Sequence, residues 1–159
     1  MKLSQGVEWG LHCATLLAQA PANASVSRHY LAEHFGLPEA YLAKHLQAMV
    51  RSGVLSASTG PRGGFRLARA AEETTALDIV EAIEGTAAPF TCQEIRRRGN
   101  GAAAPADCLS ACAVSAVMAS AHQAWQNSLR ATTVSRLVEL VPDSLRERNR
   151  SRLAAIGSS

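Results

Sequence analysis

The sequence predicts a mainly α-helical protein with a small β-hairpin, arranged as a winged helix-turn-helix that further helices follow. Aromatic residues make up only 4% of the 159 residues and hydrophobic residues 47%, which favours helices around a real core over a sandwich or barrel. Apolar residues recur at three- and four-residue spacings in several segments, as on the buried faces of helices. A turn rich in Gly and Pro over 58–64 separates two short stretches typical of hairpin strands.

Three helices are predicted before this hairpin. The first covers 4–20, with Pro21 just beyond its end. Ser27 can cap a second helix over 28–35, and Pro38 suits the first turn of a third helix that ends near residue 52. Two helices joined by a tight turn, followed by a hairpin, form a winged helix-turn-helix. The apolar stripe expected on the third helix consists of Tyr41, Leu42, Leu46, Met49 and Val50.

The second half of the chain predicts more helices around a long loop. Thr75 and Asp78 resemble a capping box for a fourth helix that ends at Gly85. Residues 86–107 are rich in Gly, Ala and Pro, and a loop of this length is usually functional or disordered. Helices are expected again from about 108 to 129 and from a cap at Thr132 to about 142. The polar remainder is expected to be frayed.

Charge and composition narrow the class of protein. The net charge is +3, and residues 26–70 alone carry +4, as expected of a segment that contacts phosphates. The sequence contains no apolar stretch of about eighteen residues or more, and Glu8 interrupts any signal-peptide pattern, so we expect a cytoplasmic protein without a membrane partner. No Ser-His-Asp set, phosphate-binding Gly-rich loop or paired-carboxylate cleft emerges, so we do not expect an enzyme.

The third helix and the hairpin are the candidate DNA-binding elements. In a helix-turn-helix the second helix of the pair enters the major groove, and its early residues face the base edges. Lys44 can reach guanine or a phosphate, Glu39 can accept from cytosine, and Arg62 lies at the hairpin tip. The alternative is that Lys44 and Arg62 are solvated surface charges. The predicted DNA-binding residues are Arg28, Glu39, Ala40, Lys44 and Arg62.

Three runs of residues give the chain a resemblance to a known family. They are Tyr41-Leu42-Ala43-Lys44-His45-Leu46, Gly53-Val54-Leu55 and Gly60-Pro61-Arg62-Gly63-Gly64-Phe65. The chain resembles the winged-helix transcription regulators of the IscR and NsrR type over roughly residues 1–140. The resemblance implies a homodimer on a double-stranded DNA operator, a long dimerisation helix and, often, an iron–sulfur cluster.

With this resemblance, the chain divides into four predicted parts. They are a winged helix-turn-helix domain over 1–85, a cluster-binding loop over 86–112, a dimerisation helix with a C-terminal helix over 113–142, and a flexible tail over 143–159.

The four cysteines are expected to be metal ligands, redox thiols or core residues rather than structural disulfides. Fifteen residues separate Cys92 from Cys108, which departs from the short, even spacings of many cluster-binding relatives. Cys108 and Cys112 are four residues apart, so on one helix their sulfurs share a face. Glu8 and His12 have the same spacing on the first helix, and carboxylate and imidazole suit iron or zinc.

The N-terminal helix and the Cys-x-x-x-Cys pair look most like the redox-responsive, actinobacterial RsrR-type branch. That resemblance implies a 2Fe–2S cluster held by Glu8 and His12 of one chain and by Cys108 and Cys112 of the other. It leaves Cys13 and Cys92 as non-ligands. Trp9 directly follows Glu8, and we expect it to relay ligand changes to the DNA-binding domain, although it could equally be core packing.

Other readings of these residues remain open. A zinc-bound regulator would use the same four ligands without a redox response, and a thiol switch would need only cysteines. Glu8 and His12 could be an exposed polar pair, and Cys108 and Cys112 could be small core residues. Cys92 is an alternative ligand, because a cysteine near this position binds the cluster in three-cysteine relatives. An apo-protein without any metal could also fold and dimerise.

Overall fold

A computed structural model describes residues 2–61 and 63–157. The chain divides into two units. We call Lys2–Gly85 with Leu129–Ser159 the body, and Thr86–Ser128 the cysteine segment. The elements in chain order are α1 (Gln5–Leu17), α2 (Arg28–Phe35), α3 (Glu39–Arg51), β1 (Leu55–Ser58), β2 (Gly64–Leu67), α4 (Ala76–Glu84), two 3-10 helices (Ile95–Arg97 and Pro105–Cys108), α5 (Ala113–Arg130), α6 (Val134–Leu140) and α7 (Asp143–Gly157).

Local signals in the sequence set the helix ends of the body. The Ser27 hydroxyl accepts a hydrogen bond from the Tyr30 amide at 3.1 Å, which caps α2 as predicted. Thr75 and Asp78 form the predicted capping box of α4, with the Thr75 amide donating to Asp78 Oδ2 at 2.8 Å. The cap of α6 is Thr133, one residue beyond the predicted Thr132. These caps satisfy amide groups that the first helical turn leaves without partners.

Helix α3 contributes one face to the core of the body. Leu42, Leu46 and Met49 are 0% exposed, as the three- and four-residue spacing predicts. Tyr41, assigned to the same stripe from the sequence, is 68% exposed, so that assignment was wrong. Its hydroxyl makes a fully buried position costly, and the adjacent Leu42 fills the core instead. The body core also includes residues of α1, α2, α4 and the hairpin.

The wing is a two-stranded antiparallel hairpin in which Leu55 pairs with Leu67 and Ser58 with Gly64. Val26 extends the pairing, because its amide donates to the Phe65 carbonyl at 2.9 Å and its carbonyl accepts from the Phe65 amide at 2.8 Å. A Cβ on Gly64 would lie 2.4 Å from the Val26 carbonyl oxygen, so this close approach requires glycine.

The predicted flexible tail is wrong for residues 143–157, which form helix α7. Leu153 is 1% exposed and belongs to the core, and Asn149 is 6% exposed. The segment is so polar that its sequence gives little helical periodicity, and a single leucine with one buried amide anchors the helix to the body. Residues 158–159 lie outside the described part of the chain.

The cysteine segment differs from its prediction at Cys108 and Cys112. Cys108 ends the 3-10 helix Pro105–Cys108, whereas Cys112 precedes α5 and its carbonyl accepts the Ala116 amide at 2.9 Å. The two cysteines therefore do not share a helix face, and the prediction that they do was wrong. Pro105 suits a short N-terminal turn, and the residues between the cysteines interrupt the helical pattern.

None of the helices within residues 2–61 and 63–157 combines the length and the apolar character that crossing a membrane requires.

Candidate nucleic-acid interface and cysteine site

The outer face of α3 carries the residues expected to meet DNA. Ala40 and Lys44 are exposed, as predicted, and lie one turn apart. Tyr41 joins them, because it precedes Lys44 by three residues and projects from the same half of the helix. A tyrosine hydroxyl and a lysine ammonium can both donate to phosphate oxygens or base edges. The spacing of Tyr41 from Lys44 was the sequence signal that could have identified it.

Arg28 and Glu39 form an ion pair at the junction of α2 and α3. Arg28 Nε donates to Glu39 Oε1 at 2.7 Å, and His29 Nδ1 lies 3.3 Å from Glu39 Oε2. The hydrogen bond from Arg28, followed by that from His29, lowers the pKa of the Glu39 carboxyl. Glu39 thus holds Arg28 in place across the helix-turn-helix, and its oxygens are already engaged before any cytosine could reach them.

The wing adds positive charge beside α3. Arg66 on β2 is exposed, and its Nε donates to the Ser56 hydroxyl of β1 at 3.1 Å. This contact fixes a guanidinium on the outer surface of the hairpin, where it can meet a phosphate. Arg62, predicted at the wing tip, lies outside the described residues.

Helix α1 contacts the recognition helix α3 through Gly6 and Trp9. A Cβ on Gly6 would lie 2.3 Å from His45 Cε1, so the His45 ring occupies the space that this glycine leaves. The Trp9 and His45 rings meet edge to face with centroids 5.8 Å apart. Since His45 follows Lys44 on α3, a displacement of α1 would act directly on the recognition helix.

Glu8 and His12 lie one turn apart on α1, and both are exposed. The His12 ring lies against Phe35, with centroids 5.7 Å apart. Cys13, in contrast, is 0% exposed, and burial raises the pKa of its thiol to about 12. A thiol that stays protonated at neutral pH is a poor metal ligand, so Cys13 is a core residue.

Within the described part of the chain, Cys92, Glu94 and Cys112 bring their ligand atoms together. These atoms all lie within 4.8 Å of one another, in a partly buried setting. The resemblance implied that Cys92 is a non-ligand, although its role as a ligand was left open, and no sequence pattern singled out Glu94. These residues are far apart in the sequence, and the loop with its 3-10 helices brings residue 92 back to the start of α5.

Arg96 is the residue that orders this group. Its Nε donates to Glu94 Oε1 at 2.6 Å, and one terminal nitrogen donates to the Ser110 carbonyl at 3.2 Å. The hydrogen bond from Arg96 lowers the pKa of the Glu94 carboxyl. Arg96 therefore ties the loop residues that follow Cys92 to the residues just before Cys112.

The Cys112 thiol lies at the N-terminus of α5. Hydrogen bonds from the Ser115 and Val114 amides, followed by one from Cys92, lower the pKa of this thiol. The site thus favours a thiolate, the form of cysteine that binds metals and reacts with oxidants. Cys108 is 6% exposed and does not belong to the three-residue group. Glu8 and His12 belong to the body, so the four-residue ligand set of the sequence analysis stays a prediction.

These features together define a winged-helix DNA-binding transcription regulator. The chain belongs to the Rrf2 family, which is described as a family of iron-dependent transcriptional regulators. The model of this family matches residues 3–140. The expectation of a regulator rather than an enzyme is confirmed by this family and its relatives. The finer likeness to the RsrR-type branch stays a prediction.

The relatives support this membership along most of the chain. The putative HTH-type transcriptional regulator YwgB of Bacillus subtilis is 25% identical over 142 residues, which cover 89% of this chain and 86% of YwgB. The structure of CymR, the global cysteine regulator of B. subtilis, has a TM-score of 0.69 at 22% identity and covers 89% of this chain and 99% of that one. The structure of T. potens IscR has a TM-score of 0.67 at 20% identity and covers 91% of this chain and 90% of that one. Both structures confirm the winged-helix fold.

Proposed function

We propose that this Rrf2-family regulator binds its operator as a homodimer and senses redox state through a 2Fe–2S cluster held between two subunits. The observation that carries the proposal is the thiolate-favouring Cys112 beside Cys92 and Glu94. Clusters of this kind take four protein ligands, with cysteine sulfur as the usual donor. In the proposed arrangement the cysteine segment supplies two of them, Cys112 and a second cysteine, so a complete site needs two donors from elsewhere, and a second subunit can provide them.

Helix α5 supports the homodimer. None of its eighteen residues, all of them described, is buried. Val114, Val117 and Met118 nevertheless form an apolar stripe on it, with exposed fractions of 61%, 67% and 39%. An apolar stripe of this length on a soluble helix is stable when it packs against another apolar surface. A second α5 offers the same stripe, and a two-fold dimer is the arrangement in which both are covered.

The proposed ligands are Glu8 and His12 of one subunit with Cys108 and Cys112 of the other. Carboxylate, imidazole and thiolate are donors that iron and zinc accept, and Glu8 and His12 are exposed on one face of α1, open to a second chain. Cys92 is the alternative to Cys108, because its sulfur lies in the group with Cys112. The donor chemistry thus fits the cluster with either cysteine.

When bound, the cluster supplies a one-electron redox couple. The chain's own residues would transmit the change. Glu8 and His12 would hold the cluster from α1, so a change in its charge would act on that helix first. A shift of His12 or Glu8 moves α1, and Trp9 passes the movement to His45 through their edge-to-face contact. His45 is one residue from Lys44, so the recognition helix responds, and a change of about 5–150-fold in DNA affinity would be ordinary for coupled sites.

The test is the visible spectrum of anaerobically purified protein before and after dithionite, with iron, sulfide and zinc measured in parallel. We expect a coloured protein that bleaches on reduction and contains about two irons per site. Glu8→Ala and His12→Ala should alter the spectrum while circular dichroism stays unchanged. Of Cys92→Ser and Cys108→Ser, the variant whose visible spectrum changes identifies the second cysteine ligand. A spectrum that is unaltered in both the Glu8 and His12 variants would rule out the cross-subunit ligand set.

A zinc site or a thiol switch is the second candidate, and the contact between Cys92 and Cys112 favours it. Two neighbouring thiols can bind zinc, or a peroxide can oxidise them to a disulfide and water. A colourless protein that contains zinc, or one whose mass falls by two hydrogens after peroxide, would support this candidate. In the thiol switch Glu8→Ala should be silent, whereas in the cluster regulator it should not.

A further inference from the structure

The body contains an apolar pocket whose wall includes His12, a proposed cluster ligand, but whose interior the proposed function does not use. It lies between α1, α2, α6 and α7 and has a volume of about 500 Å³. Pockets of this size accommodate small organic molecules. Its apolar walls are formed by Leu11, Leu16, Phe35, Leu137, Leu140 and Leu145.

Two buried amides give the pocket a polar end. Gln19 is 7% exposed and Asn149 6%, and both line the pocket. The Gln19 Nε2 donates to the Thr15 carbonyl at 2.9 Å, and Asn149 Nδ2 lies 3.5 Å from Gln19 Oε1. Asn149 Oδ1 is buried and, among the described residues, has no hydrogen-bond partner. Such an acceptor costs free energy until a donor reaches it.

The surroundings also restrict the charge of an occupant. His34 lines the pocket, and burial, followed by the positive charges of Arg152 and Arg148, lowers the pKa of its imidazole. A positive field of this kind disfavours a cationic ligand. The rings of His34 and Phe35 meet edge to face with centroids 4.7 Å apart, and a further ring can join them.

We propose that this pocket binds a small aromatic molecule that carries a hydroxyl group. The ring packs against the leucines and Phe35, and the hydroxyl donates its hydrogen to Asn149 Oδ1. A phenol is neutral at pH 7 and has both the ring and the hydroxyl. A protonated aromatic amine would instead be repelled by the positive charges of Arg148 and Arg152. The inference goes beyond the proposed function, because it needs no cluster.

A molecule in this pocket would contact helices of the DNA-binding domain directly. Helix α2 is the first helix of the helix-turn-helix, and α1 carries His12 on the pocket wall. A ligand between them and α7 binds the native state alone and therefore stabilises it.

The test uses 2-naphthol as the probe, titrated into the full-length protein and followed by calorimetry and thermal unfolding. We expect saturable binding of one molecule per chain and a rise in melting temperature. Naphthalene, which lacks the hydroxyl, should bind roughly 5–10-fold more weakly, as expected for one hydrogen bond. Asn149→Leu should remove that preference.

A second variant keeps the test decisive if Asn149→Leu fails to fold. Leu140 is 63% exposed at the pocket, so Leu140→Trp adds an indole there at little cost to the fold and should abolish binding. Ser144→Trp on α7, exposed and outside the lining, is the matched control and should bind normally.

The proposal fails if 2-naphthol does not saturate, or if Leu140→Trp binds it as well as Ser144→Trp does. It also fails if affinity for 2-naphthol falls as protein concentration rises, because a second copy of the chain would then be the occupant. Each readout applies equally to protein without iron, so loss of the cluster proposal leaves the result interpretable.

Discussion

The body and the cysteine segment bury their apolar side chains to very different extents. The body holds the whole hydrophobic core cluster, including Leu42, Leu46 and Met49 at 0% exposure. In the cysteine segment, the buried residue among those described is Cys108, while Leu109 and Ile95 are 87% and 72% exposed. A unit that buries its own apolar surface can hold its structure within one chain, whereas one that exposes such surface gains stability from a partner.

The comparison separates two kinds of residue in this regulator. Buried residues of the body hold the shape that meets DNA, and their loss should unfold the protein. Under the proposed function, residues of the cysteine segment contribute to assembly and sensing, and their loss should leave a folded protein that no longer assembles or responds. The four predictions that follow test this separation, beginning with the largest expected effect.

The first prediction concerns the core of the body. Leu46→Ala should lower the free energy of unfolding by about 2–5 kcal/mol, because it leaves a cavity beneath the recognition helix. The measurement is urea denaturation followed by circular dichroism. Gln47→Ala, at the next and exposed position of α3, is the control and should change stability by less than about 0.5 kcal/mol. Equal effects of the two variants would contradict the separation.

The second prediction concerns the apolar stripe of α5. Val117→Asp should weaken the proposed dimer by about 2 kcal/mol or more, or roughly 30-fold in dissociation constant, because it puts a charge where Val117, 67% exposed in the single chain, would pack against the second α5. Analytical ultracentrifugation measures it. Ala119→Asp places the same charge on another face of α5 and should leave the dimer intact. If Val117→Asp instead unfolds the body, the two regions are not separable.

The third prediction concerns the exposed face of α3. Lys44→Ala should weaken binding to a DNA duplex selected by the wild-type protein by about 1–3 kcal/mol. Relaxed specificity at one base pair would indicate a base contact, whereas a uniform loss with a smaller salt dependence would indicate a phosphate contact. Arg136→Ala on α6 removes an equal charge from the body and is the control. Equal losses of DNA affinity in the two variants would mean that Lys44 contributes only its positive charge and no contact specific to its position.

The fourth and smallest prediction concerns the ion pair of Glu39 with Arg28. The pKa of the Glu39 carboxyl is lowered in the folded state, so the pair stabilises the protein above the ordinary glutamate pKa. That contribution is lost as the pH falls through the lowered value. Titration by nuclear magnetic resonance should find the Glu39 pKa rising towards its ordinary value in Arg28→Ala. An unchanged pKa would mean that the pair does not persist in solution.

Much of the body could be predicted from the sequence because its signals are local. Ser27 and the capping box of Thr75 mark helix starts by chemistry within a few residues. The spacing of Leu42 and Leu46 marks a buried face. Helix α7 gave no such signal, since its anchoring to the core depends on Leu153 and on contacts far along the chain.

The candidate site was less predictable because its contacts join residues that are far apart in the sequence. The sequence placed Cys108 and Cys112 on one helix by their spacing, whereas the structure starts α5 after Cys112. The proximity of Cys92 and Glu94 to Cys112 depends on the fold of a loop that Arg96 ties together. Sequence spacing describes neighbours along a regular helix, and it carries no information about neighbours that an irregular loop creates.

The pairing of Val26 with Phe65 has a consequence for the energetics of DNA recognition. Because Val26 binds both backbone groups of Phe65, the base of the wing behaves as a short three-stranded sheet rather than as a free hairpin. The conformational entropy of ordering that base is lost when the protein folds, not when it meets the duplex. A wing anchored in this way is preorganised, so the energy of its contacts with DNA goes into affinity rather than into ordering a loop.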